Sequence, residues 1–455
     1  MSEVTSRKFT SVLPQNLSNS SPLSGATTNH VKSTSALAAR PVRGEQPGRK
    51  TLETKTSVLL LGNYRPTLTL ARTLSALGYN VIITLEPESV AQFSRFVDEC
   101  WHSPSINDPP AFFEALGEFL RKRPDVSVVY PVLEVCLRHF ARHAHLLPND
   151  RLYVKTDDET IATCLSKPKM MALAAEVGVL CERHVEVSDY AALRAALQTI
   201  GFPLIVKPSN SSARMGTRKA VIASSDGELS AALPEWPEGH SDLIVQTYVD
   251  GPRINLYFAA QNGVPIRYLA AEILRTDEED GTGLAVDGRT IELDAEIKSI
   301  GDRLLGRLEY HGIGCIQMLR DTRSGKYYFL ELNPRIAGNH AVPEHCGLGL
   351  GPLAIELAQG AAADSNLRIG PAGKRYVWTS SAVYRTWTAA RSGRIGWPAA
   401  VRRLAATIGA AAVADVHMNW HRRDPVPALA EIGKRLPFIR RVRKHYSKRL
   451  KRIVD

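Results

Sequence analysis

Tyr327-Tyr328-Phe329-Leu330-Glu331-Leu332-Asn333-Pro334-Arg335 reads as a short aromatic and aliphatic strand that ends in a carboxylate, an amide and a guanidinium. Glu331 and Asn333 stand two apart, so on a strand both side chains project to one face. A hard cation such as Mg2+ is commonly held by one or two carboxylates together with phosphate oxygens and water. Arg335 follows within reach of a second anion. A strand-borne cation site beside an arginine is the arrangement that phosphoryl transfer needs, because that chemistry rests on positioning and charge neutralisation.

Further out from this stretch the chain alternates helices and strands. Ser57-Val58-Leu59-Leu60-Leu61 is a buried strand ended by Gly62-Asn63. A helix from about Pro66 to Leu77 and a second strand, Tyr79 to Thr84, complete a βαβ unit, expected to be parallel and right-handed. Asp125 to Tyr130 is another buried strand, with Pro131 and Glu134 at its end, and ligands of such sheets gather at the carboxyl ends of strands. This first domain ends near Lys155. Beyond it, Pro168 to Val177 reads as a helix, and Leu204 to Lys207 and Leu243 to Val249 as strands. Residues 254–260 and 266–273 form a hairpin around Asn262-Gly263, a strong turn signal. Leu293 to Leu308 is an amphipathic helix. Gly314 to Arg320 and Lys326 to Leu332 form a second hairpin, turning at Ser324-Gly325.

Charge is unevenly distributed. Of 57 Lys+Arg and 46 Asp+Glu, residues 1–56 hold 8 and 3 and residues 434–455 hold 10 and 1, leaving 39 and 42 between them. The body is slightly acidic and the basicity belongs to the two ends. That argues against a nucleic-acid groove across the protein and points to ends that meet an anionic surface. At 44% hydrophobic residues, the 455-residue chain has material for a sizeable core and about three domains. The 6 cysteines are scattered with no CxxC pair, which fits reduced thiols in a cytoplasmic protein. His345-Cys346 is read as a loop histidine beside a buried thiol, not as a nucleophile pair. Residues 1–56, rich in Ser, Thr, Asn and Pro, read as a disordered leader with no secretory core. No run of about 18 apolar residues is present to cross a bilayer.

Three cations punctuate the central region. Lys167 opens a helix after Leu165-Ser166, Lys207 ends the strand Leu204-Ile205-Val206, and Arg335 follows the carboxylate strand. Lys207 leads into Pro208-Ser209-Asn210-Ser211-Ser212-Ala213-Arg214-Met215-Gly216-Thr217, a small, polar loop whose amides and hydroxyls suit phosphate oxygens. It is not the GxxxxGK[ST] phosphate loop, because its lysine precedes the loop.

In these motifs and their order, residues 57–360 resemble the ATP-grasp superfamily, in its carbamoyl-phosphate-synthase-like branch. The resemblance implies an α/β (α+β) architecture: a Rossmann-like pre-ATP-grasp domain (57–155), an ATP-grasp domain (156–365) and a separate α-rich C-terminal extension (366–455). It implies that Lys167 and Lys207 bind nucleotide phosphates and that the 209–217 loop, including Ser211 and Gly216, is the lid. Leu243-Ile244-Val245-Gln246-Thr247-Tyr248-Val249-Asp250-Gly251 matches the adenine hinge, with Gln246 beside backbone groups at Thr247 and Val249 that read the base. Gln317, Glu331 and Asn333 match the ligands of Mg2+ (or Mn2+). Arg335 and Arg275 match arginines near the transferred phosphate and the acceptor. The chain departs from the pattern at Thr247, where the hinge residue is often Glu, and at Arg253-Ile254-Asn255, where an acidic residue usually follows the hinge glycine. Ala213 and Arg214 replace a common glycine pair.

The resemblance implies a ligase that activates a carboxylate as an acyl phosphate with ATP and joins it to an amine. The alternatives are a carboxylase-type or carbamoyl-phosphate-forming enzyme that uses bicarbonate, and a non-catalytic nucleotide-binding protein that docks through its basic end. From Ile439 to Ile453, apolar residues spaced three, four, four and three apart run through Arg and Lys. Such a basic amphipathic helix suits peripheral contact with anionic membrane, here at the inner face, or a solvated surface helix.

Overall fold

The computed structural model describes residues 56–86, 89–209, 215, 220–278, 281, 283–361 and 366–435. The leader, the lid residues Ser211 and Gly216, and the apolar–basic stretch from Ile439 lie outside the described residues.

Three sheets carry the architecture. The first contains β1 (Ser57–Leu61), β2 (Asn80–Thr84), β3 (Glu99–Trp101), β4 (Val126–Pro131) and β5 (Leu152–Tyr153). All its pairings are parallel and its order is β3-β2-β1-β4-β5. Strand order reverses between β1 and β4, which opens a crevice at their carboxyl ends. Gly62 follows β1 there at φ 133°. A Cβ at that position would lie 2.7 Å from Leu133 Cγ, in the loop that follows β4. The two loops therefore touch, and they deliver Asn63, Tyr64 and Arg65 from one side and Glu134 from the other.

The second sheet is antiparallel: β6 (His184–Val187), β7 (Leu204–Pro208), β8 (Val221–Ala223) and β9 (Leu243–Thr247), ordered β6-β9-β7-β8. Its buried face packs Val187, Leu204, Val206, Val221, Leu243 and Val245 against the helix Tyr190–Ile200.

The third and largest sheet contains β10 (Arg253–Gln261), β11 (Val264–Thr276), β12 (Ala285–Ile291), β13 (Gly312–Arg320), β14 (Tyr327–Asn333), β15 (Arg368–Ile369), β16 (Arg375–Val377) and β17 (Val416–His417). Its main path runs β14-β13-β10-β11-β12-β16-β17, with β15 beside β11. The β10–β11 turn carries Asn262 at φ 49° and Gly263 at φ 82°, the left-handed pair that the Asn-Gly dipeptide predicts. One face packs on the helices Lys167–Glu176 and Ala295–Arg307; the other shares a core with the first domain through Tyr257, Ala271, Leu60 and Leu70.

The mixed fold and the helical C-terminal region are as expected. The segment after 365 does not stand apart, however. Three of its short strands extend the central sheet, and the helices Thr379–Arg391, Trp397–Val413 and Val426–Arg435 follow from them. The sequence gave no local sign of this, because two- and three-residue strands have no periodicity to read.

The passage from the second sheet to the third is clamped by backbone. Arg320 N–H donates to Pro252 O and Thr322 N–H to Asp250 O, both at 3.0 Å. A Cβ on Gly251 would lie 1.8 Å from Arg320 O, so only glycine fits. We expect Gly251→Ala to cost about 1–3 kcal/mol, the usual range for forced overpacking. Gly306→Ala, on the helix Ala295–Arg307 with nothing within 4 Å of its Cβ position, should stabilise by up to about 1 kcal/mol. Denaturant melts of the two variants check both signs.

Candidate active site

Two cavities meet at the strand quoted first. One, of about 470 Å³, lies between the second and third sheets. The other, of about 770 Å³, lies between the first domain, the third sheet and the C-terminal helices. Arg253, Gln317, Glu331, Asn333 and Arg335 line both, so they form a partition with one cavity on each side.

Register explains why these residues coincide. Gln317 on β13 is the cross-strand partner of Asn255 on β10 and of Glu331 on β14. Neighbours directly across a sheet share a face, so a carboxylate and two amides gather at one spot. Asn333 Nδ2 donates to Glu331 Oε1 at 2.9 Å, and Arg335 Nη2 donates to Asn333 Oδ1 at 3.3 Å. Arg335 is tied to the first domain by Nη2 to Glu134 Oε2, also 3.3 Å. Burial alone would raise the Glu331 carboxyl. The Asn333 amide and the Lys167, Arg335 and Arg253 charges outweigh it and hold Glu331 below its ordinary value, ionised at neutral pH. One ionised carboxylate with two amide oxygens fits a single hard cation that completes its sphere with phosphate oxygens and water. Among the described residues no group of three or more His, Cys, Asp or Glu side chains is placed to hold a metal by itself.

Every described residue assigned from the sequence lines the smaller cavity: Lys167, Lys207, Gln246, Thr247, Val249, Arg275, Gln317, Glu331, Asn333 and Arg335. Lys167 Nζ donates to Pro208 O at 2.8 Å, which holds it against the end of β7. Lys207 is 8% exposed. Burial first, then repulsion from Lys167, push its ammonium down to about 7, against the pull of Glu331 and Glu182. Burial likewise raises Glu182 to about 7, with Lys207 opposing. Ile205, Ile222, Leu319 and Leu330 give this cavity an aliphatic end suited to a flat base. At that end Gln246 Oε1 and Thr247 Oγ1 are buried and without partners. Thr247 N–H is already donated to Arg183 O at 3.0 Å, which leaves Val249 as the uncommitted backbone donor of the two assigned to adenine.

Arg275 does not line the larger cavity. Its Nε pairs with Asp287 at 2.9 Å and its Nη1 donates to Thr407 at 3.1 Å, so it joins β12 to the helix Trp397–Val413. The residues that sequence reasoning did not assign lie on the larger cavity: Arg65, Asn255, Trp378, Arg385, Asn419 and Glu431. Arg253 and Asn255 were legible only as departures from a pattern. Cys346 is half-buried and its thiol is raised by burial, so it is no activated nucleophile.

A two-sheet clamp around a cation site, preceded by a parallel domain, defines a nucleotide-dependent ligase architecture. Residues 292–365 match the family model described as carbamoyl-phosphate synthase L chain, ATP binding domain. Among solved structures, N5-carboxyaminoimidazole synthetase from Staphylococcus aureus complexed with ADP superposes with a TM-score of 0.57 at 14% identity, covering 72% of this chain and 83% of that one. Pyruvate carboxylase of Komagataella pastoris is 23% identical over 269 residues, 56% of this chain and 22% of that protein. D-alanine–D-alanine ligase of Xylella fastidiosa is 26% identical over 215 residues, 44% of this chain and 63% of that protein. The chain thus spans from under a quarter to under two-thirds of these curated relatives. Its fold is the ATP-grasp fold, of the carbamoyl-phosphate-synthase-like type.

A polyphosphate placed against Lys207 favours the ammonium form, so its binding above neutrality must draw in a proton. We expect tripolyphosphate or ATP to bind with uptake approaching one proton at pH 8 and almost none at pH 6. Calorimetry in buffers of different ionisation enthalpy measures this, and Lys207→Met should abolish the uptake.

Proposed function

We propose that the chain is an ATP-dependent ligase that activates a carboxylate as an acyl phosphate and joins it to an amine. The observation that carries this reading is the partition: a cation site whose two faces open into two separate cavities. ATP takes the smaller one, with its base between the aliphatic residues and the Gln246–Val249 hinge. Lys167 and Lys207 neutralise its phosphates, and the loop carrying Ser211 and Gly216 covers them. Glu331, Asn333 and Gln317 would hold Mg2+ (or Mn2+), which supplies charge neutralisation for the β- and γ-phosphates when bound. The acceptor acid takes the larger cavity and reaches the partition from the other side.

In the reaction a carboxylate oxygen bonds to the γ-phosphorus. The bridging bond to ADP breaks with its electron pair on ADP. The amine nitrogen then attacks the acyl carbon, phosphate leaves, and the amine gives up a proton. Arg335 faces the in-flight phosphoryl group and Glu134 fixes its guanidinium, so positioning and electrostatics do most of the catalysis. Arg275, engaged with Asp287, acts as a positioning residue at the nucleotide side and not as the acceptor clamp.

The relatives also support a carboxylase-type reading with bicarbonate as the acid. The larger cavity weighs against it: about 770 Å³ is a drug-sized volume, far beyond the needs of a four-heavy-atom anion. A screen of acids and amines for ADP release, with hydroxylamine trapping of the acyl phosphate as a hydroxamate, tests the proposal. Acid-dependent hydroxamate should form, and Glu331→Gln should lower it by roughly a hundredfold or more, the scale of losing a main electrostatic group. ADP release with bicarbonate alone would favour the second reading.

The basic end also supports peripheral contact with anionic membrane on the cytoplasmic side; among the described residues no helix is long and apolar enough to cross one. Co-sedimentation with phosphatidylserine vesicles should fall sharply when residues 436–455 are deleted. Equal sedimentation would overturn that contact.

A further inference from the structure

The larger cavity contains more cationic capacity than the reaction uses. Arg65 stands in the first turn of the helix Arg65–Ala76, at the crevice between β1 and β4, with its guanidinium 3.8 Å from the centre of the Trp378 ring. Its Nη1 donates to Ala285 O at 3.3 Å. No carboxylate lies within ion-pair distance of it among the described residues. Burial pushes it down to about 10, partly offset by Tyr64, Glu431, Tyr376 and Asp277, so it stays charged at neutral pH. Holding a desolvated guanidinium unpaired is costly, and stacking on an indole returns only part of that cost.

Arg253 repeats the pattern at the partition. Its Nη2 donates to Gly283 O at 3.3 Å and its Nε is buried with no partner. Beside it, Asn255 is 3% exposed with an unpartnered Oδ1. The wall carboxylates are mostly committed. Asp277 accepts from Leu284 N–H at 2.6 Å and pairs with Arg385 at 3.4 Å. Glu431 accepts from Trp378 Nε1 at 3.2 Å, Ser380 Oγ at 2.7 Å and Asn419 Nδ2. Glu86 is the exception, a half-buried carboxyl raised by burial. The cavity therefore presents two unpaired guanidiniums from two different domains, and both act on the Tyr376 phenol between them.

We propose that this cavity takes an acid with two anionic groups: a carboxylate at the Arg253–Glu331 partition and a second carboxylate or phosphate held by Arg65 against Trp378. The proposal rests on the ligase reading above only for the fate of the first carboxylate. A planar guanidinium fork recognises either second group in two-point fashion, and the indole fixes its plane.

The test is binding to the full-length chain without ATP, followed by calorimetry. The probes are succinate, glutarate, their monomethyl esters and 3-phosphoglycerate. Each diacid should bind about tenfold or more tighter than its own ester, the value of one charge-assisted pair. The tighter of the carboxylate and phosphate probes identifies the second group. Arg65→Ala should erase the diacid preference and leave ADP affinity unchanged; Arg65→Lys should restore part of it. Equal affinity of diacid and ester, no detectable binding of any diacid, or a full preference retained in Arg65→Ala each overturns the proposal. The ester comparison needs no variant, so misfolding cannot mask the result. ADP release with the same acids separates the two readings. No release with any acid, beside an intact diacid preference, fails the ligase and leaves this site standing. Equal release with ester and diacid fails this site and leaves the ligase standing.

Discussion

Everything in this molecule is arranged around an excess of buried positive charge at one wall. Lys167, Lys207, Arg253 and Arg335 surround a single ionised carboxylate, Glu331. In water four such cations would be solvated and indifferent to one another. Inside, at an effective dielectric well below that of water, they repel, and Lys207 gives up much of its basicity. A triphosphate with its cation relieves that repulsion, so its affinity is written into the unliganded charge distribution. The arrangement also explains why Glu331 stays ionised despite burial: its neighbours outvote desolvation.

The three sheets give that wall its two sides. The parallel sheet brings Arg65 and Glu134 to the crevice between β1 and β4. The small antiparallel sheet brings Lys207 and the hinge, and the large sheet brings the partition by cross-strand register. No sheet alone holds the site. The C-terminal segment completes the larger cavity with Trp378, Arg385 and Glu431, and it can do so because β16 is hydrogen-bonded into the central sheet beside β12.

What the sequence disclosed follows from the range of the signal. The nucleotide side was readable because its groups sit at strand ends and helix starts, where apolar periodicity breaks at a charge, as at Lys167, Lys207 and Glu331. The Asn262-Gly263 turn was readable because both residues take positive φ. The strand β12 was not: Asp287, Gly288 and Arg289 interrupt its apolar pattern. Gly288 is required by a distant contact, since a Cβ there would lie 2.4 Å from Tyr376 Oη. The acceptor side was not readable either. Arg65 and Trp378 are separated by more than three hundred residues, and no local pattern announces that they stack. Arg275 could be picked out as a strand cation, but its partner Thr407 lies 132 positions away and converts it to a brace.

A wall with two wet faces has a kinetic consequence. Its side chains contact both reactants at once, so a change at Gln317 or Arg253 cannot perturb one Michaelis constant and spare the other. Double-mutant cycles drawn across it will be strongly non-additive. Adaptation to a new acid is therefore easier through the outlying Arg65–Trp378 corner, where drift leaves the nucleotide untouched.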